Sequence, residues 1–82
     1  MEIVKCCFKT LKHNEHRDNC IAVLTETLDN GNLNYRGLFG EEGTVSKDWI
    51  RRQGRNSRVQ EYQSLKTELE RTGIKIEIVK SL

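Results

Sequence analysis

Cys20-Ile21-Ala22-Val23-Leu24-Thr25-Glu26-Thr27-Leu28-Asp29-Asn30-Gly31-Asn32-Leu33-Asn34-Tyr35 is the stretch on which the fold turns. From Cys20 to Leu28, Ala22, Leu24 and Glu26 alternate with Ile21, Val23 and Thr25, the period of a strand. Asp29-Asn30-Gly31-Asn32 follows. Asn-Gly tolerates the positive φ values of a tight turn, so this run predicts a hairpin onto a third strand, Leu33 to Phe39.

Toward the N-terminus, Lys12-His13-Asn14-Glu15-His16-Arg17-Asp18-Asn19 reads as a polar loop. Before it, Glu2 to Leu11 reads as a first strand, with Val4, Cys6 and Phe8 alternating with Lys5, Cys7 and Lys9. Toward the C-terminus, Gly40-Glu41-Glu42-Gly43 breaks the sheet. Ser46 is placed to cap a short helix, with Asp48 in its first turn, Arg51 and Arg52 in its last, and Gly54 as its stop. Ser57 opens a longer helix, with Gln60 three residues on as capping-box partner. Val59, Tyr62, Leu65 and Leu69 give that helix one apolar face, and Gly73 ends it.

Ile74, Ile76 and Ile78 then alternate with Lys75, Glu77 and Val79 in a final strand. Three isoleucines on one face predict a position inside the sheet. The result is an α+β fold: a small antiparallel β-sheet in β-β-β-α-α-β order, with a short and a longer helix packed on one face. No repeat or linker divides it, so residues 1–82 form a single domain.

A chain of 82 residues with one Trp, two Tyr, two Phe and one Met has little apolar material. A domain of this size buries only about 60% of the surface its unfolded chain exposes. That leaves little room for both a core and a deep substrate pocket, and favours a module working through its surface over an enzyme. The charged fraction of 32% with periodic apolar residues argues for a folded chain. No apolar stretch is long enough to cross a bilayer, so no membrane partner is expected. No secretory signal is expected either, since Met1-Glu2-Ile3-Val4-Lys5 lacks a basic region followed by an apolar run. Three cysteines make an odd count without a closed disulfide framework, which fits reduced thiols in a cytoplasm. The absence of proline, with many Lys, Asn and Glu, is compatible with an AT-rich genome such as a phage's.

Thiolate and imidazole are zinc ligands, and Cys6, Cys7, His13, His16 and Cys20 could supply four of the right types if the loop returns Cys20 toward Cys6. Their spacing contains no CxxC knuckle. The plain alternative makes Cys6 and Cys20 core residues and the histidines solvated loop residues, so no metal is expected. A Cys–His nucleophile would need a Gly-rich elbow beside a cysteine, and there is none. Gly37-Leu38-Phe39-Gly40-Glu41-Glu42-Gly43 carries two acids and no lysine, so it reads as a turn rather than a phosphate cradle. Neither a catalytic residue nor a cofactor is expected.

Arg51, Arg52, Arg55 and Arg58 are the most concentrated charge in a chain whose net charge is only +2. Placed at the end of one helix and the start of the next, they predict a basic ridge suited to phosphate or to carboxylates. Tyr35, Phe39 or Trp49 nearby would add stacking on unpaired bases. Against this, arginines also collect at helix ends to balance the dipole, and Glu61 lies three residues after Arg58, where it can pair. Glu41, Glu42 and Asp48 can neutralise part of the ridge. No RNP, KH or helix-turn-helix pattern is present.

Three segments, Cys20-Ile21-Ala22-Val23-Leu24-Thr25-Glu26, Asp48-Trp49-Ile50-Arg51 and Ser57-Arg58-Val59, resemble the small phage-encoded type II-C anti-CRISPR inhibitors that cap the HNH nuclease domain of their target. The resemblance extends to chain length, segment order and a glycine before the last strand, Gly73 here. The three segments make up about a sixth of the chain. The resemblance implies an acidic contact in the loop before the second strand, a role for Glu15 or Asp18. It also implies a small polar pair in the last strand, where this chain has Ile76 and Glu77. With that pair missing, the resemblance speaks for the fold more than for the target.

Two functions are therefore expected. One is a phage-type inhibitor of a host defence nuclease (CRISPR effector, restriction enzyme or toxin ribonuclease) acting by protein contact. The other is a small RNA- or DNA-binding module that lays its arginine ridge on phosphate.

Overall fold

Gly31 adopts φ +84°, and the Asn32 amide donates to Asn30 Oδ1 at 3.0 Å, so the Asn-Gly run does close a hairpin. The computed structural model describes residues 2–12 and 20–82. In order these form β1 (Ile3–Leu11), β2 (Cys20–Thr27), β3 (Asn32–Gly37), β4 (Glu42–Ser46), α1 (Lys47–Gln53), β5 (Gly54–Asn56), α2 (Val59–Glu70) and β6 (Lys75–Ile78). The sheet runs β4-β3-β2-β1, and two short strands share the outer edge of β1. β5 lies antiparallel along Lys9–Leu11, and β6 lies parallel along Ile3–Cys6. A small α+β fold with a largely antiparallel sheet and two helices is thus as expected.

Two of the strands were not. The Gly40–Gly43 run does not end the sheet but turns it: Gly40 takes φ +84°, and the Phe39 amide donates to Glu41 Oε2 at 3.1 Å. Gly43, the second residue of β4, lies against Tyr35, whose Cε1 would be 2.9 Å from any Cβ there. Val45, opposite Leu33, is the sole large apolar residue of β4, too little for a period-two signal. β5 is only three residues long and is recruited by β1 rather than by its own side chains.

The final strand sits at the edge, not inside the sheet. Ile76 is buried and Ile74 half-buried, but Ile78 remains 37% exposed. A helix laid over one face, rather than a strand on each side, buries the central isoleucine.

The helices do not share a face. Val4, Cys6 and Phe8 of β1 and Cys20, Ala22 and Leu24 of β2 pack with Tyr62, Leu65 and Leu69 of α2. The rings of Phe8 and Tyr62 stack with centroids 4.8 Å apart. The opposite phase of the strands supplies Leu11, Ile21 and Val23, which join Leu33 of β3, Trp49 and Ile50 of α1, and the half-buried Leu82. β1 and β2 are apolar in both phases along their central residues, and a strand of that kind needs cover on each side.

Ser46 caps α1 as its position predicts, accepting from the Trp49 amide at 3.1 Å. α2 begins differently. Its N-cap is Arg58, whose backbone N–H donates to Glu61 Oε1 at 2.8 Å. Ser57 turns inward instead, with Oγ 2.7 Å from Thr10 Oγ1 and 3.2 Å from Cys20 Sγ. The capping role expected of Ser57 and Gln60 thus falls to Glu61, because the Ser57 hydroxyl is needed by a buried threonine.

Candidate functional site

The joint α1–β5–α2 carries all four clustered arginines, and folding divides them. Arg55 forms a forked pair with Glu61, Nη1 to Oε1 at 2.8 Å and Nη2 to Oε2 at 2.6 Å. The Arg51 guanidinium donates to the backbone oxygen of Leu82. Arg52 Nε reaches the Asp48 carbonyl at 3.4 Å, one helical turn back. Arg58 is exposed at the entry to α2. Glu61 therefore pairs with Arg55, not with the Arg58 side chain, because β5 places Arg55 directly before the helix. Three of the four arginines expected to form a continuous ridge thus make hydrogen bonds within the fold, that of Arg52 being the longest.

Glu61 is held strongly in its charged form. Bonds from the Arg55 guanidinium and the Arg58 backbone N–H take its pKa from 4.5 down to about 2. A carboxylate whose folded pKa is depressed stabilises the fold above its unfolded value and loses that contribution as pH falls through the folded one. Replacing Glu61 by Gln is therefore expected to lower the thermal midpoint near neutral pH. The gap to the unmodified chain should close as pH falls from 4.5 to about 2, as read by melting curves across that range. A gap that persists below that window would mean that the pair is not what anchors α2.

Cys6 and Cys20 lie on the same face but are not brought together. Cys6 stands opposite Leu24 and Cys20 opposite Thr10, four residues further along β1. That offset is roughly 13 Å of strand. Both thiols are buried, and no group of three His, Cys, Asp or Glu is placed to hold a metal among the described residues. His13, His16, Glu15 and Asp18 lie outside the described residues. Of the last-strand pair, Ile76 is buried and Glu77 exposed. Among the described residues no helix is long and apolar enough to cross a membrane.

The expected stacking aromatics are scattered. Tyr35 and Trp49 are half-buried against the α1-side cluster, and Phe39 is 70% exposed in the β3–β4 turn.

What the sequence did not indicate is a groove of about 330 Å³ where the first turn of α2 meets the residues after β6. Phe8 and Tyr62 lie at its base, Val59, Ile78 and Val79 give it aliphatic walls, and Arg58 and Lys80 supply cations. Val59 is 58% exposed, although its helical spacing placed it on the buried face. It is the first residue of α2 and does not join the cluster that Tyr62, Leu65 and Leu69 form with the sheet. The far wall is tied down: the Val79 amide donates to the Cys6 carbonyl at 2.9 Å, and Asn56 Nδ2 donates to the Lys80 carbonyl at 3.1 Å. The available signal was the pair Arg58-Val59 opposite Ile78-Val79-Lys80, but only the parallel docking of β6 on β1 brings these segments together.

Comparison with protein-family models, with curated proteins and with solved structures finds no match.

Proposed function

We propose that this chain is a phage-type anti-defence protein that binds a host defence nuclease stoichiometrically and inhibits it by covering its surface, not by catalysis. The observation that carries this reading is the joint exposure of Val59 and Ile78 beside Arg58 and Lys80. Apolar side chains edged by cations suit a protein surface rich in carboxylates better than they suit a phosphate backbone. Metal-dependent nucleases gather carboxylates where they hold their ions, which makes them one such surface. The resemblance to type II-C anti-CRISPR inhibitors agrees with it. Two of its segments, Asp48–Arg51 and Ser57–Val59, fall in α1 and at the entry to α2, on either side of β5. The site of action is the host cytoplasm, where three cysteines without a disulfide remain reduced.

The test is a titration of the purified, nucleic-acid-free chain into candidate CRISPR effectors, restriction enzymes and toxin ribonucleases, with cleavage of a labelled substrate as readout. Cleavage should fall to a plateau at an equimolar ratio, and the complex should survive nuclease digestion. If binding to every partner disappears on digestion, and nucleic acid is found in the undigested complex, the chain is instead an RNA- or DNA-binding module.

A further inference from the structure

We infer that the groove between the first turn of α2 and residues 78–80 receives an acidic protein segment that carries an aliphatic side chain next to its carboxylates. This deepens the inhibitor reading and rests on it. Among the described residues, those lining the groove include two cations, Arg58 and Lys80, and no acid. The nearest carboxylate on the same turn, Glu61, is already engaged by Arg55 and by the Arg58 N–H. α2 runs for twelve residues, and the positive end of its dipole opens on the same side, adding to the field of the two cations. An anionic occupant is therefore attracted by Arg58, Lys80 and the start of α2.

The apolar part sets the rest of the chemistry. Val59 and Ile78 stay exposed in a chain with few large apolar residues, and both border this groove. Phe8 and Tyr62 are stacked on each other with an interplanar angle of 13°, and Phe8 is only 3% exposed, so each ring already has one face covered by the other. Aliphatic walls accept a leucine, isoleucine or valine but give a nucleobase no π-face. At about 330 Å³ the groove has room for one or two side chains rather than a large ligand. That is the small end of the roughly 300–1,000 Å³ range of ligand sites. The ties through Val79 and Asn56 hold its far wall, so little ordering is needed when an occupant arrives.

The experiment uses three probes against the isotopically labelled full chain: the peptide acetyl-Glu-Asp-Leu-Asp-Leu-Glu-amide, the same peptide with lysine at every acid, and a short oligothymidylate. Binding is followed by amide shifts in NMR spectra. The acidic peptide should move amides at 56–62 and 78–80, with affinity reduced about tenfold in Arg58→Gln/Lys80→Gln. Arg71→Gln, at the far end of α2, should leave affinity unchanged. Val59→Ser, which removes apolar wall without touching charge, should also weaken binding, and unchanged melting curves would show that each variant is folded. The inference is overturned if no probe moves these amides, if the lysine peptide or the oligothymidylate moves them as strongly as the acidic peptide, or if the charge variant binds as the unmodified chain does. The nuclease titration separates the two levels. Inhibition that survives Arg58→Gln/Lys80→Gln removes the groove and leaves the inhibitor. Peptide binding by a chain that inhibits no nuclease removes the inhibitor and leaves the groove.

Discussion

Truncation of Ile50 to alanine should destabilise the fold by about 2–5 kcal/mol. For a chain of 82 residues the total stability is roughly 4–12 kcal/mol, so one methylene-rich side chain carries a large share of it. Ile50 is fully buried and is the one buried residue of α1, packed against Val23 of β2 and Leu33 of β3, which are fully buried themselves. A helix of seven residues has almost no stability of its own in water. The loss therefore extends beyond a cavity. Releasing α1 also releases Gly54, whose N–H donates to the Ile50 carbonyl, and with it the pairing of β5 on β1. Urea unfolding followed by Trp49 fluorescence measures this directly, because Trp49 lies on the same helix. Ile50→Val, which keeps the branched shape, should cost only about 0.5–1.5 kcal/mol. Equal midpoints for the alanine variant and the unmodified chain would show that α1 is not held by this face.

The second large effect is chemical. Cys6 should react with iodoacetamide about 10³-fold more slowly in the folded chain than in denaturant, and Cys7 and Cys20 should also be slowed, because the thiolate is the reacting species. Burial pushes the Cys6 thiol from 9.0 up to about 12, which alone lowers its thiolate fraction about 10³-fold near neutral pH. Burial also raises Cys7, with Lys9 opposing it, and raises Cys20, where a hydrogen bond with the Ser57 hydroxyl acts in the other direction. Mass spectrometry of labelled peptides over time gives the three rates separately. Rapid labelling of any one of them under native conditions would reveal local opening of its strand and reinstate that thiol as a chemical group. Slow labelling of all three would assign them to the core, as their packing indicates.

Much of the local structure was legible from residue types. The Asn30-Gly31 turn, the cap at Ser46 and the stop at Gly73, with φ +94°, depend on backbone conformation and near neighbours, and they stand where the residues predict. Ser57 shows where such reasoning ends. Its hydroxyl suits a helix cap, but Thr10, forty-seven positions away in the chain, competes for it and wins. The arginine cluster followed the same course. Its position at a helix–helix joint was readable, whereas the pairing of Arg55 rather than Arg58 with Glu61 depended on a three-residue strand held in place by β1.

By itself the sequence determined the α+β class, the first hairpin and the two helices, because those follow from short-range periodicity and turn chemistry. Only the tertiary structure decided that α1 and α2 cover opposite faces, that β5 and β6 share one edge of β1, and that Val59 and Ile78 meet across a cationic groove. The physical reason is that the central residues of β1 and β2, Cys6–Phe8 and Ile21–Leu24, are apolar in both phases. Local pattern cannot say which element covers which face, and the choice is made by long-range packing, where the whole chain must bury both sides at once.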